Sequence, residues 1–334
     1  MAQNNPNLIT SIETQIKGCP DDLFICWGSP EERCKGSAMK LSLNYKSKDV
    51  IILRYSGHKS KEREENVTFL ANILNKVGKT QIIQINEEIP IPSIKETIIL
   101  IESILESIKN PRILIDISTP IKWHLFVFLK FLDARGLLKN VRFLYTEPKD
   151  YDTNLFQPLS FGIKEIFPIP LCYGNYDFSN DDLLVLMLGY EGSRAVAMFE
   201  NIDPARTLLL IANPPYHPEW KGRTEKLNEE IINIVGTSEI RYIDSRNPIS
   251  VALQLQDILS EKEYSKYNHL ISPLGTKPQL LGLYLYYSQF PTPSNTILLY
   301  GAPLRHNEFF YSYGIGRTWE LPYNKKMEVN LDEA

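Results

Sequence analysis

The feature that most constrains this chain is that it repeats itself. From Gly28 the sequence reads Gly-Ser-Pro-Glu-Glu-Arg and from Gly189 it reads Gly-Tyr-Glu-Gly-Ser-Arg, each after an apolar run, residues 23–27 and 183–188. The same register continues downstream. Residues 50–53 match 208–211, Asn66 matches Asn228, and Leu114-Ile115-Asp116 matches Leu270-Ile271-Ser272. Residues 144–148 then match 299–303, and 161–163 match 313–315. The spacing shortens slowly along the chain, as small loop indels in a duplicated unit would make it. Two related lobes in one chain imply a pseudo-twofold surface, which favours one shared ligand site over two unrelated ones.

Within each half, short apolar runs alternate with longer amphipathic stretches. That is the pattern of β/α units around a mostly parallel sheet, so the expected fold is α/β: two tandem Rossmann-like lobes with flanking helices. Strands are predicted at 23–27, 50–55, 81–85, 113–117 and 141–145, then at 183–188, 207–212, 239–243, 269–272 and 296–300. Helices are predicted at 62–77, 94–108 and 121–135, then at 192–199, 226–235, 249–259 and 278–288. A short extended segment closes each lobe, 162–170 or 314–322. The lobes are therefore set at 20–172 and 181–323, joined by a polar, turn-rich linker at 173–180 and followed by a charged tail at 324–334.

A chain of 334 residues with 43% hydrophobic content suits about two domains. Its net charge of −4 argues against general binding to duplex nucleic acid, which usually needs a basic stripe. Cys19, Cys26, Cys34 and Cys172 show no paired metal or redox spacing and read as structural thiols in a reducing compartment. No apolar stretch approaches the roughly 18 residues of a spanning helix and no secretory leader is evident, so a cytoplasmic protein is expected. Phosphate-loop, zinc-protease, nucleophile-elbow and dinucleotide fingerprints are absent; no catalytic, metal or cofactor set is assigned. Among the histidines, His124 reads as packed within a helix, while His58, His217 and His306 follow strand ends.

In an open α/β sheet, ligands bind beyond the carboxyl ends of the strands. The richest such loop is Ser272-Pro273-Leu274-Gly275-Thr276-Lys277-Pro278, running straight into an apolar helix. Gly275 and Thr276 would offer amides and a hydroxyl at a helix N-terminus and Lys277 a full charge, a set that favours phosphate. A plain helix cap beside a solvated lysine would use the same residues. The first-lobe equivalent, Asp116-Ile117-Ser118-Thr119-Pro120-Ile121-Lys122, keeps the hydroxyls and lysine but has a carboxylate and no glycine. It suits a ribose or base contact, or a simple cap by Ser118 or Thr119. The loops after the first strands supply Glu31, Glu32 and Arg33 on one side and Tyr190, Glu191, Ser193 and Arg194 on the other. Arg33 and Arg194, five residues past the shared glycine, would either clamp phosphate or pair with the adjacent glutamates. Tyr145, Glu147, Tyr300 and the turn at Asn213 complete the rim, where aromatic rings could stack on a base or serve only in packing.

The Gly275-Thr276-Lys277-Pro278 turn, between a late strand and an amphipathic helix, resembles the ligand loop of CRISPR-associated Rossmann-fold (CARF) domains. Two such lobes in one chain look like the SAVED arrangement of bacterial anti-phage systems. The resemblance implies a non-enzymatic regulator that binds a cyclic or linear oligonucleotide messenger, an anionic ligand, across the dyad and signals to an effector carried on a separate polypeptide. Two alternatives stay open: a nucleotide-processing hydrolase or transferase using the strand-end carboxylates Glu31, Glu32, Asp116, Glu147 and Glu191, and a scaffold that docks protein partners.

Overall fold

Three sheets organise the chain in the computed structural model, which describes residues 10–11, 20–41, 45–57, 60–151, 159–290, 295–306, 312–321 and 323. The tail at 324–334, Cys19, His58 and the His306 side chain lie outside the described residues. Strands are numbered in chain order. The first sheet holds β1 (Thr10–Ser11), β2 (Asp21–Gly28), β3 (Ser47–Tyr55), β4 (Lys79–Ile85), β5 (Ile113–Asp116), β6 (Val141–Thr146) and β15 (Thr318–Leu321). The second holds β8 (Ser160–Pro168), β9 (Asp182–Leu188), β10 (Arg206–Ala212), β11 (Ile240–Ile243), β12 (Asn268–Pro273) and β13 (Thr296–His306). A two-stranded ribbon pairs β7 (Asp150–Tyr151) with β14 (Ser312–Tyr313).

The two large sheets share one topology. The parallel order is β6-β5-β2-β3-β4 in the first and β13-β12-β9-β10-β11 in the second, so each half runs 5-4-1-2-3 in its own strands. The chain reverses direction between its first and fourth strands, which puts the crevice for a ligand at the ends of β2 and β5 and of β9 and β12. Two tandem Rossmann-like lobes are thus present. Each parallel run is closed by one antiparallel strand, and that strand comes from the other half: β8 pairs with β13, and β15 pairs with β6. A strand reads as extended from its own sequence, whereas its partner is set by which sheet edge lies nearby. Covering the edges of β6 and β13 in this reciprocal way removes two open sheet margins and ties the halves together.

The flanking helices are α1 (Gly36–Lys40), α2 (Lys61–Leu74), α3 (Pro90–Leu105), α4 (Lys122–Ala134), α5 (Gly192–Ile202), α6 (Arg223–Leu227), α7 (Glu229–Val235), α8 (Pro248–Leu259) and α9 (Lys277–Gln289). Strands buried on both faces explain the unbroken apolar runs. Along β2, Leu23, Ile25 and Trp27 face α3 and α4, while Phe24 and Cys26 face α1 and α2. Along β9, Leu183, Val185 and Met187 join the same central core as the first set, and Leu184, Leu186 and Leu188 pack with α5 and α7. One hydrophobic core therefore spans both halves. At its centre α4 meets α9: the Phe126 and Tyr284 rings are 5.0 Å apart, and Tyr284 Oη donates to the Leu129 carbonyl at 3.3 Å. His124 is packed there against Tyr55 and Trp123, and burial holds its imidazole at about 3, neutral. The helix predicted at 226–235 is interrupted at Asn228, which leaves helical geometry and donates to the Gly189 and Thr224 carbonyls at 2.8 Å each.

Candidate functional site

The loops that follow β2 and β9 are built alike. Asn66, on α2, donates to the Ser29 and Pro30 carbonyls at 2.9 and 3.2 Å, and Asn228 does the same for Gly189. A side chain on Gly189 would meet the Leu274 carbonyl at 2.5 Å, so glycine lets the two switch-point loops of the second lobe touch. From each loop an arginine turns inward and is almost fully buried. Arg33 Nε lies 2.9 Å from Glu31 Oε2, and its Nη1 donates to Tyr145 Oη at 3.4 Å and to the Thr146 carbonyl at 3.5 Å. Arg194 Nη1 lies 2.7 Å from Glu191 Oε2, and its Nη2 donates to the Gly301 carbonyl at 2.8 Å. Each guanidinium also sits over a tyrosine, Tyr145 at 5.9 Å or Tyr300 at 5.5 Å. Arginine, glutamate and tyrosine thus recur at corresponding places in the two lobes, with Thr146 and Gly301 as counterparts.

The fourth-strand loops differ in chemistry yet end in the same residue. Thr276 caps α9: its Oγ1 accepts from the Gln279 amide at 3.4 Å and the Gln279 side chain accepts from the Thr276 amide at 3.0 Å. A Cβ on Gly275 would stand 2.3 Å from Gln279 Oε1, so this reciprocal cap requires glycine there. Ser272 is fully buried inside β12. In the first lobe Asp116 is buried and accepts from the hydroxyls of Ser37 and Ser118 and from the Ser118 amide. Ser118 Oγ in turn accepts from the Thr146 amide at 2.7 Å, and Thr119 Oγ1 donates to the Trp27 carbonyl at 3.2 Å. Beyond these networks, Lys122 and Lys277 open α4 and α9 at equivalent positions, both partly exposed. Lys122 Nζ reaches across the lobes to the Leu274 carbonyl at 2.6 Å.

Four cationic groups, Arg33, Lys122, Arg194 and Lys277, thus lie within electrostatic reach of one another and of two carboxylates, Glu31 and Glu191. Desolvation lowers the Lys122 ammonium to about 7; Glu191 opposes the shift, while Arg194, Lys277 and Arg33 add to it. Desolvation and the Arg33 charge bring Lys277 down to about 8, against the pull of Glu31 and Glu191. Burial raises the Glu31 carboxyl, but Arg33 and Ser312 more than offset this and hold it below the usual range. Both lysines are depressed chiefly by desolvation and further by neighbouring cations, so the wall they line is partly dehydrated and positively charged. An anion is the group that would neutralise it.

The β7–β14 ribbon roofs this centre. Ser312 donates to Glu31, the Gly314 amide donates to the exposed Glu32 at 3.0 Å, and Arg223 pairs with Asp150 at 3.1 Å. Tyr190 packs edge-on to Tyr151 at 4.9 Å under the Arg223 guanidinium. To one side, Glu147 Oε1 lies 3.8 Å from His217 Nε2. Burial raises the Glu147 carboxyl, with His217, Trp319 and Arg246 acting in the opposite sense. Asn213 is exposed at the end of β10, its amide donating to the Ile243 carbonyl at 2.8 Å. The structure therefore gathers Arg33, Arg194, Glu191 and Lys277, sets Tyr190, Glu32 and Glu147 at the rim, and commits Thr276, Asp116, Ser118 and Thr119 to holding the loops. Lys122 and Glu31 join the centre as counterparts of Lys277 and Glu191. The sequence signal for Lys122 was its place after Pro120 in the loop matching that of Lys277.

Among the described residues no group of three or more histidine, cysteine, aspartate or glutamate side chains could hold a metal ion, and no helix is long and apolar enough to cross a membrane. No protein-family model and no curated protein matches the chain. Its architecture is similar to the solved structure of a type III CRISPR defence DNA nuclease activated by cyclic oligoadenylate, with a TM-score of 0.50 and 9% sequence identity over 84% of this chain. The chain spans 65% of that protein's length. At this identity the likeness is one of fold.

Proposed function

We infer that the chain is a regulatory protein of prokaryotic antiviral defence that binds a nucleotide or oligonucleotide second messenger between its two lobes, which exchange strands β8 and β15, and acts on a separate effector. The observation that carries this is the four-cation centre at the joined switch points. Its two lysines come from equivalent helix starts, each backed by a buried arginine–glutamate pair, so a ligand with several phosphates would be met from both lobes at once. The fold shared with a nuclease that cyclic oligoadenylate activates supports the same ligand class. The strand-end carboxylates favour a hydrolase less, since Asp116, Glu31 and Glu191 are each engaged by hydroxyl or guanidinium donors.

Isothermal calorimetry with cyclic oligoadenylates of three to six nucleotides tests this. Binding is expected, and Lys277→Ala should weaken it about 10- to 100-fold, the loss of one charge-assisted contact. Unchanged affinity in that variant would remove the site assignment.

A further inference from the structure

Glu147 stands apart from the charged centre, beside His217, Trp319 and Arg246. Its backbone is clamped, the amide donating to the Arg317 carbonyl at 3.0 Å and the carbonyl accepting from the Gly316 amide at 2.9 Å. Its side chain is only 1% exposed and the Trp319 indole acts on the carboxyl, yet Oε2 makes no well-formed hydrogen bond among the described residues, and neither does His217 Nε2 beside it. Leaving such an oxygen without a partner costs about 1–3 kcal/mol. The corresponding corner of the second lobe carries no carboxyl. Since Arg33 donates to the Thr146 carbonyl and Arg194 to that of Gly301, the next residues correspond, and opposite Glu147 the second lobe has Ala302.

The surroundings suit a flat ring. Tyr145 and Tyr216 stand 6.0 Å apart, His217 packs on Trp220 at 4.3 Å, and Arg246 lies over both Tyr216 and Trp319, at 5.0 and 5.3 Å. Of these groups Tyr216, His217 and Arg246 are partly exposed, and planar faces of this kind stack on nucleobases. Tyr145 Oη also accepts from Arg33, so the aromatic wall adjoins the phosphate-binding centre.

We propose that Glu147 is the specificity residue of the site, its Oε2 accepting from the exocyclic amino group of a nucleobase held against Tyr216 and Arg246. This rests on the nucleotide-binding function inferred above and adds which base chemistry the first lobe selects: amino-bearing bases. The second lobe, with Ala302, makes no such selection, so the two ends of a symmetric ligand are read differently.

A double-mutant cycle between protein and ligand tests it. The probes are cyclic tetraadenylate and the same ring built from purine riboside, which lacks the amino group, titrated calorimetrically into wild type, Glu147→Ala and Glu147→Gln. Wild type should favour the amino-bearing ring about tenfold or more, the usual size of one base-edge contact. Glu147→Ala should bind both rings alike, and Glu147→Gln, which keeps a carbonyl acceptor, should retain a preference. Because two ligands are compared on one variant, partial misfolding cancels from the ratio. Equal discrimination in wild type and Glu147→Ala overturns the role of Glu147. So does a cycle in which the 2′-deoxy ring, and not the purine ring, couples to this residue. If Lys277→Ala still weakens binding in those cases, the phosphate site stands and the base reading alone falls; if no ring binds wild type, both fall together.

Discussion

Anion binding at the four-cation centre should take up protons. In the free protein Lys277 is held at about 8 and Lys122 at about 7, both below the ordinary lysine range because of desolvation and neighbouring cations. A phosphate between them supplies an opposite charge that offsets both causes and returns the ammonium groups toward roughly 10.5. The bound state then holds more protons than the free state, so binding is strongest at low pH and weakens as pH rises from 7 to 9. With those values the uptake is almost zero at pH 6 and about 1.4 protons at pH 8, and affinity falls by about two to three decades between pH 7 and pH 9. Lys122→Met leaves only the Lys277 share, about one decade over the same interval. The phosphodiesters of cyclic tetraadenylate do not titrate in this window, which assigns the protons to the protein. Calorimetry in buffers of different ionisation enthalpy counts them directly. An affinity constant within a factor of two from pH 7 to pH 9, with no proton uptake, would refute the electrostatic description of the centre.

Two structural substitutions should separate loop construction from ligand contact. Gly275→Ala drives a methyl group against Gln279 Oε1 and breaks the reciprocal cap of α9, at a cost of about 0.5–2 kcal/mol in urea unfolding, together with weaker ligand binding because Lys277 opens that helix. Ser118→Ala removes a donor to the buried Asp116 and the acceptor of the Thr146 amide, and should lower unfolding free energy by about 1–3 kcal/mol. Unfolding midpoints that do not move in either variant would show that these networks do not stabilise the loops.

Much of the architecture was legible because strands buried on both faces must be continuously apolar, and the two series of such runs keep one order. What escaped the sequence is what pairs at long range. The segments at 160–168 and 318–321 read as extended, but nothing in their own residues says that each completes the opposite sheet. Asp116 reads as a strand-end carboxylate open to a ligand, yet Ser37, from a five-residue helix with too few turns to show a period, folds over to occupy it. The Thr276 cap, by contrast, was visible as a Thr-x-x-Gln sequence. Lys277 was found from its place at a helix start and Arg194 from its place in a loop shared by the two halves, because helix starts and loop ends are set by local chemistry. Lys122 and Glu31 needed the pseudo-twofold to be taken literally.

The measurement closest to the central claim is a crystal structure of the chain with cyclic tetraadenylate bound. Phosphate oxygens should lie within hydrogen-bond distance of both Lys122 Nζ and Lys277 Nζ, beneath the β7–β14 ribbon, with contacts from both lobes. A ligand seated on one lobe alone, or away from these lysines, would contradict the shared anion site.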